Sequence, residues 1–177
     1  MKTNEYILMC MDRVKNMLYA SLQGLTIDQV CKKPESESNH IAWIVWHMTR
    51  GFDRRVSMMV NDDQIWILEK WYEQYNLPRS DKDLGIGHTS DDVNKIVPKN
   101  VGILLGYYES VNKRMLKFFL TNESENYQRI LKGSGNLQGY EMMRMVAGTL
   151  QHVGQINYVR GLIEKRIWYV GDIHEKR

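Results

Sequence analysis

Histidine is the residue type through which this chain could do chemistry. It has five: His40, His47, His88, His152 and His174. Neutral imidazole is the commonest transition-metal ligand, and its charge changes near physiological pH. His40 and His47 are seven residues apart, two turns along one face of a helix. At about 1.5 Å per residue they stand roughly 10 Å apart along the axis, too far to share one ion directly. His152 lies among Met145, Val153 and Ile156, and a helical bundle can gather ligands from facing helices. Spacing alone leaves two readings open: histidines gathered as ligands, or histidines hydrogen-bonded within the packing. The other common sites are missing from the sequence, which has no glycine-rich phosphate loop, nucleophile elbow, HExxH or zinc-finger spacing. Cys10 and Cys31 share no CxxC or Cys/His spacing and read as reduced, buried or partly buried thiols.

The elements that must hold these residues are helices. Ile7, Met11, Val14, Leu18 and Leu22 recur every three or four residues and predict a first helix over Thr3–Leu22, ended by Gly24. Thr26-Ile27-Asp28-Gln29 opens a short helical turn, and Lys32–Ser38, carrying Pro34, reads as a loop. A second helix starts near Asn39, a residue able to cap it, and its stripe of Ile41, Ile44, Val45, Met48, Phe52, Val56 and Met59 runs to about Val60. An aromatic-rich insert occupies about 61–89, with a short helix expected around Trp66–Tyr72. The third helix begins at Ser90-Asp91-Asp92 or at Pro98, with its strong part over Val101–Leu120. Thr121–Gly135 reads as irregular, and the last helix as Leu137–Trp168. Most of the eleven methionines fall on core stripes, where their flexible side chains fill uneven packing. Arg50 and Asp53 stand three apart and predict a local ion pair worth a few tenths of a kcal/mol, roughly.

Composition bounds the rest. With 177 residues, 43% hydrophobic and 25% charged, the chain fits one globular domain over 1–177. Only three prolines leave room for four long helices, and no alternating strand pattern competes, so the expected class is all-α, a four-helix bundle. The 24 basic residues barely exceed the 21 acidic ones and form no block, which argues against a nucleic-acid partner. No apolar run approaches a membrane span and the first residues form no signal-peptide core, so the expected setting is the cytoplasm, away from membranes.

The run Asn39-His40-Ile41-Ala42-Trp43-Ile44-Val45-Trp46-His47-Met48-Thr49-Arg50, followed by Asp53, resembles the second-helix signature of the DinB/YfiT-like superfamily. Leu150-Gln151-His152-Val153-Gly154-Gln155-Ile156-Asn157-Tyr158-Val159-Arg160-Gly161 resembles its last-helix signature. The resemblance implies a four-helix bundle of down-up-up-down type with a long crossover, often a homodimer. It implies a divalent metal, zinc or nickel, held by one histidine of the second helix and an HxxxH pair of the last. Characterised members of that superfamily include transferases and isomerases that use low-molecular-weight thiols such as bacillithiol or mycothiol, against small electrophilic substrates.

Carried over by position, the resemblance makes His47 the second-helix ligand and His152 the second histidine of the pair. The first histidine would stand four residues earlier, where this sequence has Gly148. Two imidazoles hold an ion less firmly than the three protein ligands of a usual catalytic zinc site. Replacements open to the sequence are Glu141, His88 and, at a greater distance, His40. Gly51-Phe52 before Asp53 is a second departure, since many members have an acidic residue there. The expected function is a metal-dependent thiol S-transferase or hydrolase with an incomplete histidine site, or alternatively a non-catalytic bundle used for binding or dimerisation.

Overall fold

Four long helices bury the predicted apolar stripes in a computed structural model that describes residues 2–121 and 126–170. Helix α1, Thr3–Leu22, buries Ile7, Met11, Val14, Leu18 and Leu22. The one-turn α2, Ile27–Val30, is capped reciprocally: the Thr26 hydroxyl accepts the Gln29 amide at 3.2 Å and the Gln29 side chain accepts the Thr26 amide at 2.9 Å. Helix α3, Ile41–Val60, starts later than Asn39 because His40 is its cap, with Nδ1 accepting the Trp43 amide at 3.1 Å.

The insert holds two one-turn helices, α4 (Ile65–Leu68) and α5 (Trp71–Gln74), in place of one spanning Trp66–Tyr72. Lys70, left-handed at φ 53°, breaks between them. Of the two starts proposed for the third helix, Ser90-Asp91-Asp92 opens a separate short helix, and the long one begins at Val101, three residues after Pro98. Thr89 caps the short α6, Ser90–Asn94, and Asn100 Oδ1 accepts the Ile103 amide at 3.2 Å at the start of α7, Val101–Thr121, with Pro98 between them. Helix α8, Gln138–Glu164, ends before Trp168 because Lys165 turns left-handed, and the chain doubles back to lay the Trp168 ring 4.4 Å from the Arg160 guanidinium. Among the described residues the only β pairing is an isolated bridge between Ile130 and Leu137, and no helix is long and apolar enough to cross a membrane. His174 and residues 122–125 lie outside the described residues.

Side-chain pairings give the helix directions. Met11 meets Thr149 and Ser21 meets Asn157, so α1 and α8 run parallel. Asn4 meets Phe119 and Tyr19 meets Glu109, so α1 and α7 run antiparallel. Asp53 meets Tyr107 and Asp62 meets Arg114, so α3 and α7 run parallel. His47 meets His152 and Arg55 meets Glu141, so α3 and α8 run antiparallel. The four long helices thus close a ring around a core that includes Met11, Leu18, Val45, Trp46, Leu104, Val111, Met145 and Ile156. Each fully buried aliphatic side chain there contributes about 1.5–3 kcal/mol.

Arg50 and Asp53 do more than the weak local pair expected of them. Both side chains are fully buried, and their closest approach is 3.9 Å. Asp53 accepts the amides of Ile65 and Trp66 at 2.9 and 2.8 Å and the Tyr107 hydroxyl at 2.8 Å. Arg50 donates to the Asp83 and Ser80 carbonyls, the Gln64 side chain and the Tyr107 hydroxyl, and its guanidinium lies 4.6 Å from the Trp66 ring. The pair therefore fastens both ends of the insert to α3 and α7. Arg160 plays a comparable structural part, donating to the Ala20 and Ser21 carbonyls at the end of α1, where cations are favoured.

Candidate functional site

The fold brings His47 and His152 together. Their rings meet edge to face with centroids 4.9 Å apart, one from α3 and one from α8. Each ring is oriented through Nδ1. His47 Nδ1–H donates to the Leu84 carbonyl, and His152 Nδ1–H donates to Gln155 Oε1 at 2.7 Å. Among the described residues neither Nε2 atom has a hydrogen-bond partner. This is the arrangement in which an outer oxygen fixes the tautomer and frees the other nitrogen to bind or accept a proton. Burial pushes both imidazoles below the usual histidine range, with nearby Arg55 opposing their protonation further. Both rings are neutral at neutral pH.

The insert supplies the support for His47. Trp43 stacks on the imidazole with planes 6° apart and centroids 4.8 Å apart. Gly85, at φ 83°, carries the Leu84 carbonyl to Nδ1, and a β-carbon there would meet Trp46 at 2.8 Å and Trp43 at 2.9 Å. The chain can pass so close to the indoles only as glycine.

The two imidazoles line a cleft of about 550 Å³ between α3 and α8. Its walls repeat one pattern on both helices. His47, Gly51 and Arg55 stand at i, i+4 and i+8 on α3, and Arg144, Gly148 and His152 at i, i+4 and i+8 on α8. Because these helices are antiparallel, histidine faces histidine and arginine stands across from arginine, with the two glycines between. A β-carbon at Gly148 would meet nothing within 4 Å, so open space lies beside the position. Sequence reasoning passed over Arg54, Arg55 and Arg144; the signal that could have found them is this shared spacing.

The three possible replacement ligands are otherwise engaged. Glu141 lines the cleft, but its buried carboxylate accepts from Asn136 at 2.7 Å and lies 3.3 Å from Arg55 Nε and 3.7 Å from Arg144. His88 accepts the Trp43 indole N–H at 3.1 Å through Nδ1 and donates to Asp83 at 3.0 Å through Nε2. His40, the α3 cap, donates through Nε2 to the Val93 carbonyl at 3.0 Å. Among the described residues no group of three His, Cys, Asp or Glu side chains is placed to hold one metal ion. His47 and His152 therefore fit a two-donor site and do not make a three-donor one. Cys31 lies away from the cleft lining, and burial raises its thiol to about 11, which keeps it protonated.

A solved structure described as a conserved protein from Enterococcus faecalis has a similar fold. The two superpose with a TM-score of 0.84 at 19% identity, over 94% of this chain and 99% of that one. At that identity the likeness establishes the shared helical architecture alone. No protein-family model matches the sequence, and no curated protein matches it.

Proposed function

We propose that the α3/α8 cleft is an enzyme site for a small molecule, with His47 and His152 as its reactive pair, and that the two Nε2 atoms bind a divalent ion such as zinc or nickel. The observation that carries this reading is the meeting of two neutral imidazoles, each locked through Nδ1 on a carbonyl oxygen with Nε2 free, inside an open cleft. The helix directions, with α1 and α8 running one way and α3 and α7 the other, support the DinB/YfiT-like down-up-up-down arrangement implied by the sequence resemblance. A divalent ion held there would lower the pKa of a coordinated low-molecular-weight thiol and present it as a thiolate to an electrophile. The chain's own residues would orient that chemistry: Leu84 and Gln155 fix the ring tautomers, and Trp43 covers one face of His47. A row of exposed side chains on α8, including Met143, Leu150 and Tyr158, supports a homodimer face.

The competing reading is a bundle that binds but does not catalyse. It is favoured by Gly148, which leaves only two free imidazoles, and by the commitment of Glu141 to Asn136 and Arg55. Zinc and nickel titrations of the native chain, His47→Ala and Gly148→His separate the two. The expected result is weak binding by the native chain, its loss in His47→Ala, and affinity tightened by about tenfold or more in Gly148→His, or ~1.4 kcal/mol. An unchanged affinity in Gly148→His would mean that the glycine does not stand at a ligand position and would overturn the metal reading.

A further inference from the structure

The arginine end of the cleft is unexplained by a metal on the histidines. Arg54, Arg55 and Arg144 line it, and Glu141 is the only carboxylate among the lining residues. With both imidazoles neutral, the cleft carries two positive charges in excess. That single carboxylate is already shared between two guanidiniums and Asn136. Arg55 is only 19% exposed, and its Nη1 donates to the Gly51 carbonyl at 2.8 Å. Its Nε is buried without a hydrogen bond, since Glu141 at 3.3 Å is near but misaligned. A mostly buried guanidinium that shares one carboxylate with a second guanidinium, at the wall of an open cleft, is an arrangement that a carboxylate or phosphate would complete. Burial and repulsion from Arg144 push Arg55 below the usual arginine range, and the attraction of an added anion would offset both.

The glycines give the ligand its length. Gly51 and Gly148 separate the arginine level from the histidine level, and eight helical residues at ~1.5 Å each span about 12 Å along the axis. Side chains reaching inward shorten the path that a bound molecule has to bridge.

We propose that the cleft binds a small two-ended molecule whose oxyanion, a carboxylate or a phosphate, sits on Arg55 and Arg144 while its other end lies over Gly148 and reaches the Nε2 atoms of His47 and His152. Treating the histidine end as the reacting end rests on the function proposed above; the anion subsite does not depend on a metal.

Calorimetric titration with succinate, inorganic phosphate and the uncharged succinamide tests this on the native chain, Arg144→Gln, Gly148→Leu and His47→Ala. At least one of the two anions binds the native chain and succinamide does not; which anion binds identifies the group. Arg144→Gln weakens that binding by about tenfold, because a charge-assisted pair is lost. Gly148→Leu abolishes it by filling the channel, while its melting temperature is unchanged or higher, because leucine favours helix and meets open space. His47→Ala keeps anion binding. No binding of either anion by the native chain, or binding indifferent to both Arg144→Gln and Gly148→Leu, overturns the proposal. A zinc titration of the same samples reads the metal separately, so anion binding without zinc binding upholds this subsite and removes only the metal reading.

Discussion

Arg50 and Arg55 sit five residues apart on α3, each beside a buried carboxylate, yet their surroundings make them opposites. Arg50 and Asp53 are fully buried, and Arg50 donates four hydrogen bonds that tie α3 to the insert and α7. Arg55 and Glu141 line an open cleft, where Arg55 makes a single hydrogen bond, to the Gly51 carbonyl, and further arginines stand close by. A closed polar network specifies a fold. One left short of negative charge at the wall of a cavity is available for a ligand. The comparison teaches that an arginine–carboxylate pair reports function through what it leaves unsatisfied, since paired burial alone is weak evidence of anything beyond structure.

The largest expected effect comes from opening the closed network. Arg50→Met takes the neighbouring cation from buried Asp53, which keeps its three hydrogen bonds, and strands the Ser80 and Asp83 carbonyls and the Gln64 side chain, so it costs about 3–5 kcal/mol in chemical denaturation. A loss below ~1 kcal/mol would erase the contrast with Arg55.

Next is the point where the two regions touch. Gly85 belongs to the insert that Arg50 fastens, and it carries the Leu84 carbonyl to His47. Gly85→Ala forces a β-carbon against Trp43 and Trp46 at a left-handed position, costing about 1–3 kcal/mol. It should also shift the nitrogen resonances of His47 while leaving those of His40 unmoved. Unperturbed His47 resonances would show that the insert does not set the ring.

A smaller effect follows from pH. Burial lowers His40, His47 and His152 from the ordinary 6.5 in the folded chain. Between those lowered values and 6.5 the unfolded chain binds more protons, so stability is full above that window and declines as pH falls through it. Melting temperature is expected to drop between pH 7.5 and 5.5, and a flat profile over that range would contradict the burial of neutral imidazoles.

The smallest effect is Arg55→Met, expected to change stability by less than about 1 kcal/mol, because removing it relieves repulsion from Arg54 and Arg144 while Asn136 and Arg144 still hold Glu141.

Much of the helical layout was legible in the residue pattern. The stripe from Ile7 to Leu22 buries as expected, because burial on one face demands the 3.6-residue period whatever the partner is. The boundaries were less legible where a side chain took an uncommon part. His40 caps α3 in place of the expected asparagine, and left-handed Lys70 and Lys165 end helices with no glycine or proline to announce them. In the site, the meeting of His47 with His152 had to come from the resemblance, since the two are distant in sequence. Arg55 went unremarked because the pair Arg54-Arg55 on a helix looks like ordinary solvated surface.

By itself, the sequence determined the periodic faces, the near balance of charge and the glycine at 148, four residues before His152. These are local properties, carried by spacing along one chain. Only the tertiary structure decided that α3 and α8 run antiparallel at contact. That single choice turns His-Gly-Arg on one helix and Arg-Gly-His on the other into a cleft with a neutral imidazole end and a cationic end. Whether two side chains meet depends on how helices pack, and packing is settled by the burial of all their faces at once.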